Sequence, residues 1–378
     1  MTAYIIYWLC AGILFYSFIG YGLMIAALAK AKKARVVSPA AELPAMTIII
    51  PAYNEAALLQ QKISNTLAQQ YPQLQIFVVT DGSTDGSEQI ASAFPHTRVF
   101  HRADRQGKAA AINEAMTHVH SPLAAITDAN CFLSPGSLQL LAGHFADPLI
   151  GAMSGEKKVV EEGEGLYWKY ESWLKTNDAR AGTIVGAAGE ILVFRTAIYE
   201  PLEPDTILDD FVLSLRICLK GYKVGYEPQA LAIETGSLNT AEEAKRKFRI
   251  AAGGFQAMRR LKQLWQFWRH PMLSFQYISH RVTRWSLAPV CLFLFFVVNI
   301  ILVVNGAGNW YRFTAILQCF FYGAAFVGWL GARVGKKWRF VYLPYYFVFM
   351  HWAVIKGWYR FQQKRQDALW EKSQRATG

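Results

Sequence analysis

Residues 46–55 read MTIIIPAYNE, and residues 75–87 read QIFVVTDGSTDGS. Each opens as a short β-branched run and breaks off in polar, turn-forming residues, the pattern of a buried strand that ends in a loop. Between them, Glu55 to Gln70 keeps the apolar spacing of a helix. Farther on, Arg98-Val99-Phe100 reads as a third strand, Lys108 to Val119 as a helix and Leu123 to Thr127 as a fourth strand. Strands alternating with helices predict a parallel α/β sheet, and such sheets bind ligands at the carboxyl ends of their strands.

Three polar stretches stand at those ends: Pro51-Ala52-Tyr53-Asn54-Glu55, the run Thr80 to Ser87, and Asp128-Ala129-Asn130. Singly, each has a plain structural explanation. Asp-Gly-Ser-Thr-Asp-Gly is a good turn, and Asp85 can cap the helix that follows. Three in order at successive strand ends of one sheet point instead to a binding site.

Outside this region the composition changes. The 378 residues carry 39 Lys plus Arg against 27 Asp plus Glu, a net charge of +12. Only 17% are charged and 53% are apolar, against roughly 25% charged in an average soluble domain, which excludes a disordered chain. Residues 41–240 are net acidic, whereas 1–40, 241–285 and 286–378 are net basic. A nucleic-acid-binding protein would carry its basic residues on the folded domain. Basic residues beside apolar spans fit the cytoplasmic face of a membrane. The five cysteines show no C-x-x-C pair and no Cys/His cluster at zinc-ligand spacing, so a disulfide scaffold and a structural zinc site are both excluded.

Residues 3–29 form an uncharged run followed by Lys30, Lys32, Lys33 and Arg35. About 20 apolar residues suffice to cross a bilayer, and the run is longer than a signal-peptide core. An uncleaved anchor is expected, with the chain after it in the cytoplasm. Residues 286–304 and 313–332 predict two further spans, joined by Asn305 to Arg312. A fourth apolar run, Phe340 to Trp358, is interrupted by His351 and Lys356. Lys336 and Lys337 on one side and Lys364 and Arg365 on the other leave its topology open. In residues 241–285, Trp265, Phe267, Trp268, Phe275, Tyr277 and Trp285 alternate with basic residues. That stretch reads as amphipathic and interfacial and predicts a dependence on anionic lipid.

Together with G-K-A-A-A-I-N at 107–113, the P-A-Y-N-E and D-G-S-T-D-G-S motifs resemble, in content and order, the family-2 glycosyltransferases with their GT-A fold. The resemblance covers residues 46–260, and the flanking helices are similar to the membrane-embedded, polysaccharide-synthase-like branch, which includes poly-N-acetylglucosamine, hyaluronan and cellulose synthases. It implies an α/β fold: a GT-A Rossmann-like nucleotide-sugar-binding domain at 41–240, preceded by a transmembrane helix and basic linker at 1–40. Interfacial helices follow at 241–285, and transmembrane helices with a basic tail at 286–378.

The resemblance also implies a site. Pro51, Tyr53, Glu55, Asp81, Lys108 and Asp128 fall on the donor side. Lys108 beside Gly107 at a helix start suits a diphosphate chemically. The family's metal motif, Asp-x-Asp, is here Asp128-Ala129-Asn130, with one carboxylate fewer to hold Mg2+ or Mn2+. By the Leu215-Arg216 that follows, Asp210 falls on the family's catalytic base and Asp209 on the acidic residue before it. Adjacent carboxylates oppose joint ionisation, which raises a pKa. Gly189 and Glu190 fall in the acceptor segment, 182–195. Where processive members carry Q-x-x-R-W, this chain has Arg246-Lys247-Phe248-Arg249-Ile250. Arg249 keeps the arginine and suits a diphosphate. Arg246 stands for Gln and Ile250 for Trp, which weakens the inference of processivity.

The expected function is inverting transfer of a sugar from a nucleotide-sugar donor, UDP-linked, to a growing β-linked polysaccharide on the cytoplasmic face of a bacterial inner membrane. Membrane lipids and export or synthase-complex subunits are the expected partners, and nucleic acid is not. Two other readings stand beside it: one sugar added to a lipid acceptor, and a noncatalytic nucleotide-binding or sugar-binding subunit. No G-x-G-x-x-G follows the first strand and no Walker motif occurs, which disfavours a Rossmann dehydrogenase and a P-loop enzyme.

Overall fold

A computed structural model describes residues 1–32, 42–159, 165–187, 189–234, 240–336, 338–363 and 369. Lys33, Arg35, Ala188, Lys337, Lys364 and Arg365 of the sequence reading lie outside them.

The centre is one eight-stranded sheet of β1 (Met46–Ala52), β2 (Leu74–Asp81), β3 (Thr97–Arg102), β4 (Leu123–Ile126), β5 (Cys131–Leu133), β6 (Ile150–Val159), β7 (Leu192–Arg195) and β8 (Lys223–Glu234). Its order is β3-β2-β1-β4-β7-β6-β8-β5. β1 to β4 form a parallel half, crossed by helices Ala56–Leu67 and Lys108–Met116, as the alternation predicts. The other half departs from the expected parallel sheet. β7 runs antiparallel between β4 and β6, and β5 antiparallel on β8. These strands are short or carry charges, so no continuous apolar run announces them.

Both faces of the sheet are covered. Ile49 of β1 packs into a core with Ala111, Ile112, Phe211 and Leu215. Its neighbours Ile48 and Ile50 pack on the opposite face with Leu59, Ile63, Leu138 and Leu141. Side chains alternate across a strand, so an unbroken β-branched run means a strand buried on both faces. The C-terminal ends of β1, β2 and β4 then open on one edge, where the loops carry the three polar stretches.

Among the described residues, three helices are long and apolar enough to cross a membrane: Thr2–Ala31, Leu287–Val304 and Asn309–Arg333. The first is interrupted by a π segment, Tyr16–Gly20. There Arg284 Nε donates to the Ser17 carbonyl at 3.0 Å, while Arg284 Nη1 meets Glu171 Oε1 at 2.5 Å. The fourth apolar run forms helix Arg339–Gln362, which contains Pro344 and packs on helix Thr240–Arg260. Gly357 makes that approach; a Cβ there would lie 2.4 Å from the Ala251 Cβ.

The aromatic set of 241–285 divides. Trp265, Phe267 and Trp268 are exposed on and just after the short turn Lys262–Trp265. Tyr277 is fully buried and Trp285 packs against Phe211. The segment is therefore not one amphipathic face. Its exposed rings are confined to the turn, and its later rings join the core.

Candidate active site

The first two motifs are laced together by their own side chains. Asn54 takes a positive φ of 52°. Its Oδ1 accepts from Thr84 N at 2.8 Å, and its own N donates to Ser83 Oγ at 3.0 Å. Asp85 accepts from Ala56 N at 2.9 Å and from Ser87 N at 3.1 Å. It thus holds the start of helix Ala56–Leu67 as well as its own loop. Burial pushes its carboxyl up, but hydrogen bonds from Ser87 and Ala56 outweigh this and hold it below the usual range. Asp85 is thus engaged within the loops, but it is not the cap of the helix that follows, Ser87–Ser92, whose N-cap is Gly86. Asn113 of the third motif is structural: its Oδ1 accepts from Tyr199 Oη at 2.6 Å and from Leu202 N at 2.9 Å.

A pocket opens between Pro51, Tyr53, Asp81, Arg105 and Lys108, with Ala52, Gly107 and Ala111 completing its wall. Asp81 is buried, and its carboxylate accepts from Gln106 N at 2.9 Å and Gly107 N at 2.6 Å. It therefore shapes the loop that leads into Lys108. Gly82, with φ +68°, must be glycine, because a Cβ would lie 2.8 Å from the Arg105 Cβ. The Arg105 guanidinium stacks 3.6 Å from the centre of the Tyr53 ring. Glu55 is not part of the pocket wall; it heads helix Ala56–Leu67, with its N on Ser87 Oγ at 3.0 Å.

Lys108 begins helix Lys108–Met116 and joins the pocket to a cluster of carboxylates. Its Nζ lies 2.8 Å from Asp128 Oδ1 and 3.0 Å from Asp209 Oδ2. Burial opposes the ammonium, but Asp128, Asp209 and Asp210 hold its pKa above the ordinary value. Asp209 and Asp210 start helix Asp209–Leu219. Burial, and after it the Asp209 charge, push the Asp210 carboxyl up to about 7, against the pull of Lys108. Gly189 packs against this pair: a Cβ would stand 3.0 Å from Asp210 Oδ2 and 3.4 Å from Lys108 Nζ. Asn130 lies half-buried at the end of the turn that begins with Asp128.

Glu190 and Arg246, read from the sequence as acceptor and donor contacts, meet each other. Arg246 Nη2 lies 3.7 Å from Glu190 Oε1 and 3.3 Å from Glu234 Oε1, and Lys157 pairs with both glutamates. This group of two cations and two anions, buried but for the partly exposed Arg246, ties β6, β8, the segment 182–195 and helix Thr240–Arg260 together. Arg249, one turn on, donates to the Ile207 carbonyl at 3.3 Å, just before the paired aspartates.

Sequence reading missed Arg105, Lys157 and Glu234. Lys157 and Glu234 lie on β6 and β8, which the sequence does not announce as strands, so their inward charges carried no readable signal. Arg105 carried none either, because its role depends on a stacking partner 52 positions away in the chain.

The model for Glycosyl transferase family 2 matches residues 47–200, and that for Glycosyl transferase family group 2 matches residues 125–359, over half the chain. The poly-beta-1,6-N-acetyl-D-glucosamine synthase of Staphylococcus aureus (strain COL) is 25% identical over 233 residues, 58% of this chain and 57% of that protein. The synthase of the same name from Staphylococcus epidermidis is 23% identical over 271 residues, 67% of this chain and 65% of that protein. The chain thus spans less than two thirds of the length of these relatives. A solved mannosyltransferase from Pyrobaculum calidifontis, in complex with GDP-Man and Mn2+, superposes with a TM-score of 0.72. That match, at 22% identity, covers 96% of this chain and 100% of the other and speaks to the fold. With the paired aspartates, the lysine-bridged cluster and the pocket at the strand ends, the chain belongs to the family 2 glycosyltransferases and carries their GT-A fold.

Proposed function

We propose that this protein is an inverting membrane glycosyltransferase that takes a sugar from a UDP-linked donor and extends a β-linked polysaccharide at the cytoplasmic face. The observation that carries the reading is Lys108, whose one nitrogen joins Asp128 to Asp209 at the foot of the pocket. The nucleotide base lies in the pocket against Tyr53 and Arg105, and its diphosphate reaches toward Lys108 and Arg249. Asp210, with its carboxyl pushed up to about 7, takes the proton of the acceptor hydroxyl as the new bond forms at the anomeric carbon. Asp209 and Lys108 set the charge around that base, and the close approach of Gly189 leaves room for an acceptor sugar. N-acetylglucosamine is the sugar to try first, given the synthases named above.

Asp128 and Asn130 offer one carboxylate and one amide oxygen, both hard ligands. Among the described residues no group of three or more His, Cys, Asp or Glu is set to hold an ion. Mg2+ ordinarily takes one or two carboxylates and completes its shell from substrate phosphates and water, so the two residues fit a donor-borne Mg2+ or Mn2+. When bound, such an ion offsets the charge that develops on the leaving diphosphate.

One observation favours a second reading, single-sugar transfer to a lipid acceptor. Arg246, at the glutamine position of the processive motif, is engaged with Glu190 and Glu234, and Ile250 brings no indole. Membrane-reconstituted protein, incubated with a panel of radiolabelled UDP-sugars and Mg2+ or Mn2+, decides by product size. A ladder from one donor supports the polymerase, a single glycolipid supports the second reading, and no transfer from any donor contradicts both.

A further inference from the structure

Helix Ala56–Leu67 turns Leu59, Lys62, Ile63 and Thr66 inward, the i, i+3, i+4, i+7 stripe of a core-facing helix. Lys62 therefore stands where the pattern asks for an aliphatic residue, and it is completely buried. Burial of an amine costs several kcal/mol unless its hydrogen bonds are met. The hydrogen-bond partners of Lys62 Nζ are Thr127 Oγ1 at 2.8 Å, the Cys131 carbonyl at 2.7 Å and Cys131 Sγ at 3.7 Å, and the Asp128 charge acts on it from the turn. Burial pushes the pKa of the amine down. The two oxygens need only two N–H bonds, so charged and neutral forms both serve them.

The identity of the partners is informative. Thr127 and Cys131 immediately precede and follow the turn Asp128–Asn130, so one amine pins both of its ends. Thr127 Oγ1 donates onward to the Glu190 carbonyl at 2.7 Å. Cys131 Sγ lies 3.1 Å from that carbonyl and 3.3 Å from the Asp128 carbonyl. The knot joins the helix after β1, the Asp128 turn and the acceptor segment behind the carboxylate cluster, and none of its atoms faces the pocket wall.

We propose that Lys62 is a positioning residue of the active site: its amine fixes the Asp128–Asn130 turn and, through Thr127, the Glu190 backbone, and so sets the geometry at which Asp128 meets the donor diphosphate and its cation. The inference rests on the donor-side reading of Asp128. Groups that orient metal-site ligands from behind cost about ten- to a hundredfold in metal affinity or activity when removed.

The test uses the full chain in lipid nanodiscs and the near-isosteric substitution Lys62→Met. Labelling of Cys131 by N-ethylmaleimide is followed by peptide mass spectrometry, with the buried Cys218 as internal reference. Kinetics follow transfer against Mn2+ and donor concentration. The expected result is Cys131 labelling faster by about tenfold with Cys218 unchanged, and a half-saturating Mn2+ concentration raised about tenfold or more. Equal rises at both cysteines, unchanged labelling, or faster labelling with Mn2+ dependence within about twofold of wild type would each overturn it. If Lys62→Met does not fold, Thr127→Val removes one of the two acceptors at constant volume and faces the same criteria. Should wild type transfer no sugar, the proposed function fails, and the labelling still decides whether Lys62 pins the turn.

Discussion

Lys108 Nζ stands 2.8 Å from Asp128 Oδ1, and the same nitrogen lies 3.0 Å from Asp209. The carboxylate after β4 and the aspartate pair that starts helix Asp209–Leu219 are therefore bridged by one cation, and charge changes on either side are felt on the other.

The pH dependence of transfer follows from this. Asp210 must be ionised to accept a proton, and its carboxyl is pushed up to about 7. The kcat/KM of transfer therefore falls as pH drops through about 7. Asp209→Asn removes the like charge and moves that limb to lower pH. Lys108→Met removes the opposing cation and moves it higher. Folding stability runs the other way: between the ordinary aspartate pKa of about 4 and about 7 the native chain holds a proton that the unfolded chain has released, so stability declines as pH rises through that window. Initial-rate profiles of the three proteins check the signs.

The Arg105 guanidinium stacks over the Tyr53 ring at the pocket wall. Such a stack is worth about 1 kcal/mol. Arg105→Ala is expected to raise the donor KM about fivefold and leave kcat unchanged. Steady-state kinetics at saturating acceptor separate the two parameters.

Lys157 is nearly inaccessible and pairs with Glu190 and Glu234. Lys157→Met takes a cation away from two buried carboxylates and is expected to cost about 3 kcal/mol of stability. A fall in the thermal midpoint of the detergent-solubilised protein reads this, and Lys157→Arg should recover most of it.

Trp265, Phe267 and Trp268 are 45%, 44% and 78% exposed, beside exposed Lys262 and Arg269. Rings and cations so placed bind the headgroup layer. Activity in nanodiscs containing anionic lipid should exceed that in neutral ones by about threefold, and Trp268→Ala should remove most of the difference.

The parallel half of the sheet was legible in the sequence because β1 and β2 are buried on both faces and end in turn residues. The antiparallel half was not. β5 has three residues and β7 four, and β6 and β8 change register between Gly155 and Glu156. A similar division holds at the site. Lys108, Asp128, Asp209 and Asp210 converge as their motifs suggest, because each sits at an element terminus that the sheet places on one edge. Glu190 and Arg246 read in the sequence as substrate contacts, and they meet each other through partners on strands that the sequence does not announce. Lys62 was visible only as a lysine out of place on an apolar stripe.

The central claim is that Asp210 is the base of a sugar transfer, and the most direct measurement compares wild type with Asp210→Asn in the same vesicles, following transfer from the donor and donor binding in parallel. Asp210→Asn is expected to lose transfer by about a thousandfold or more with donor binding retained. Transfer by Asp210→Asn within about tenfold of wild type would contradict it.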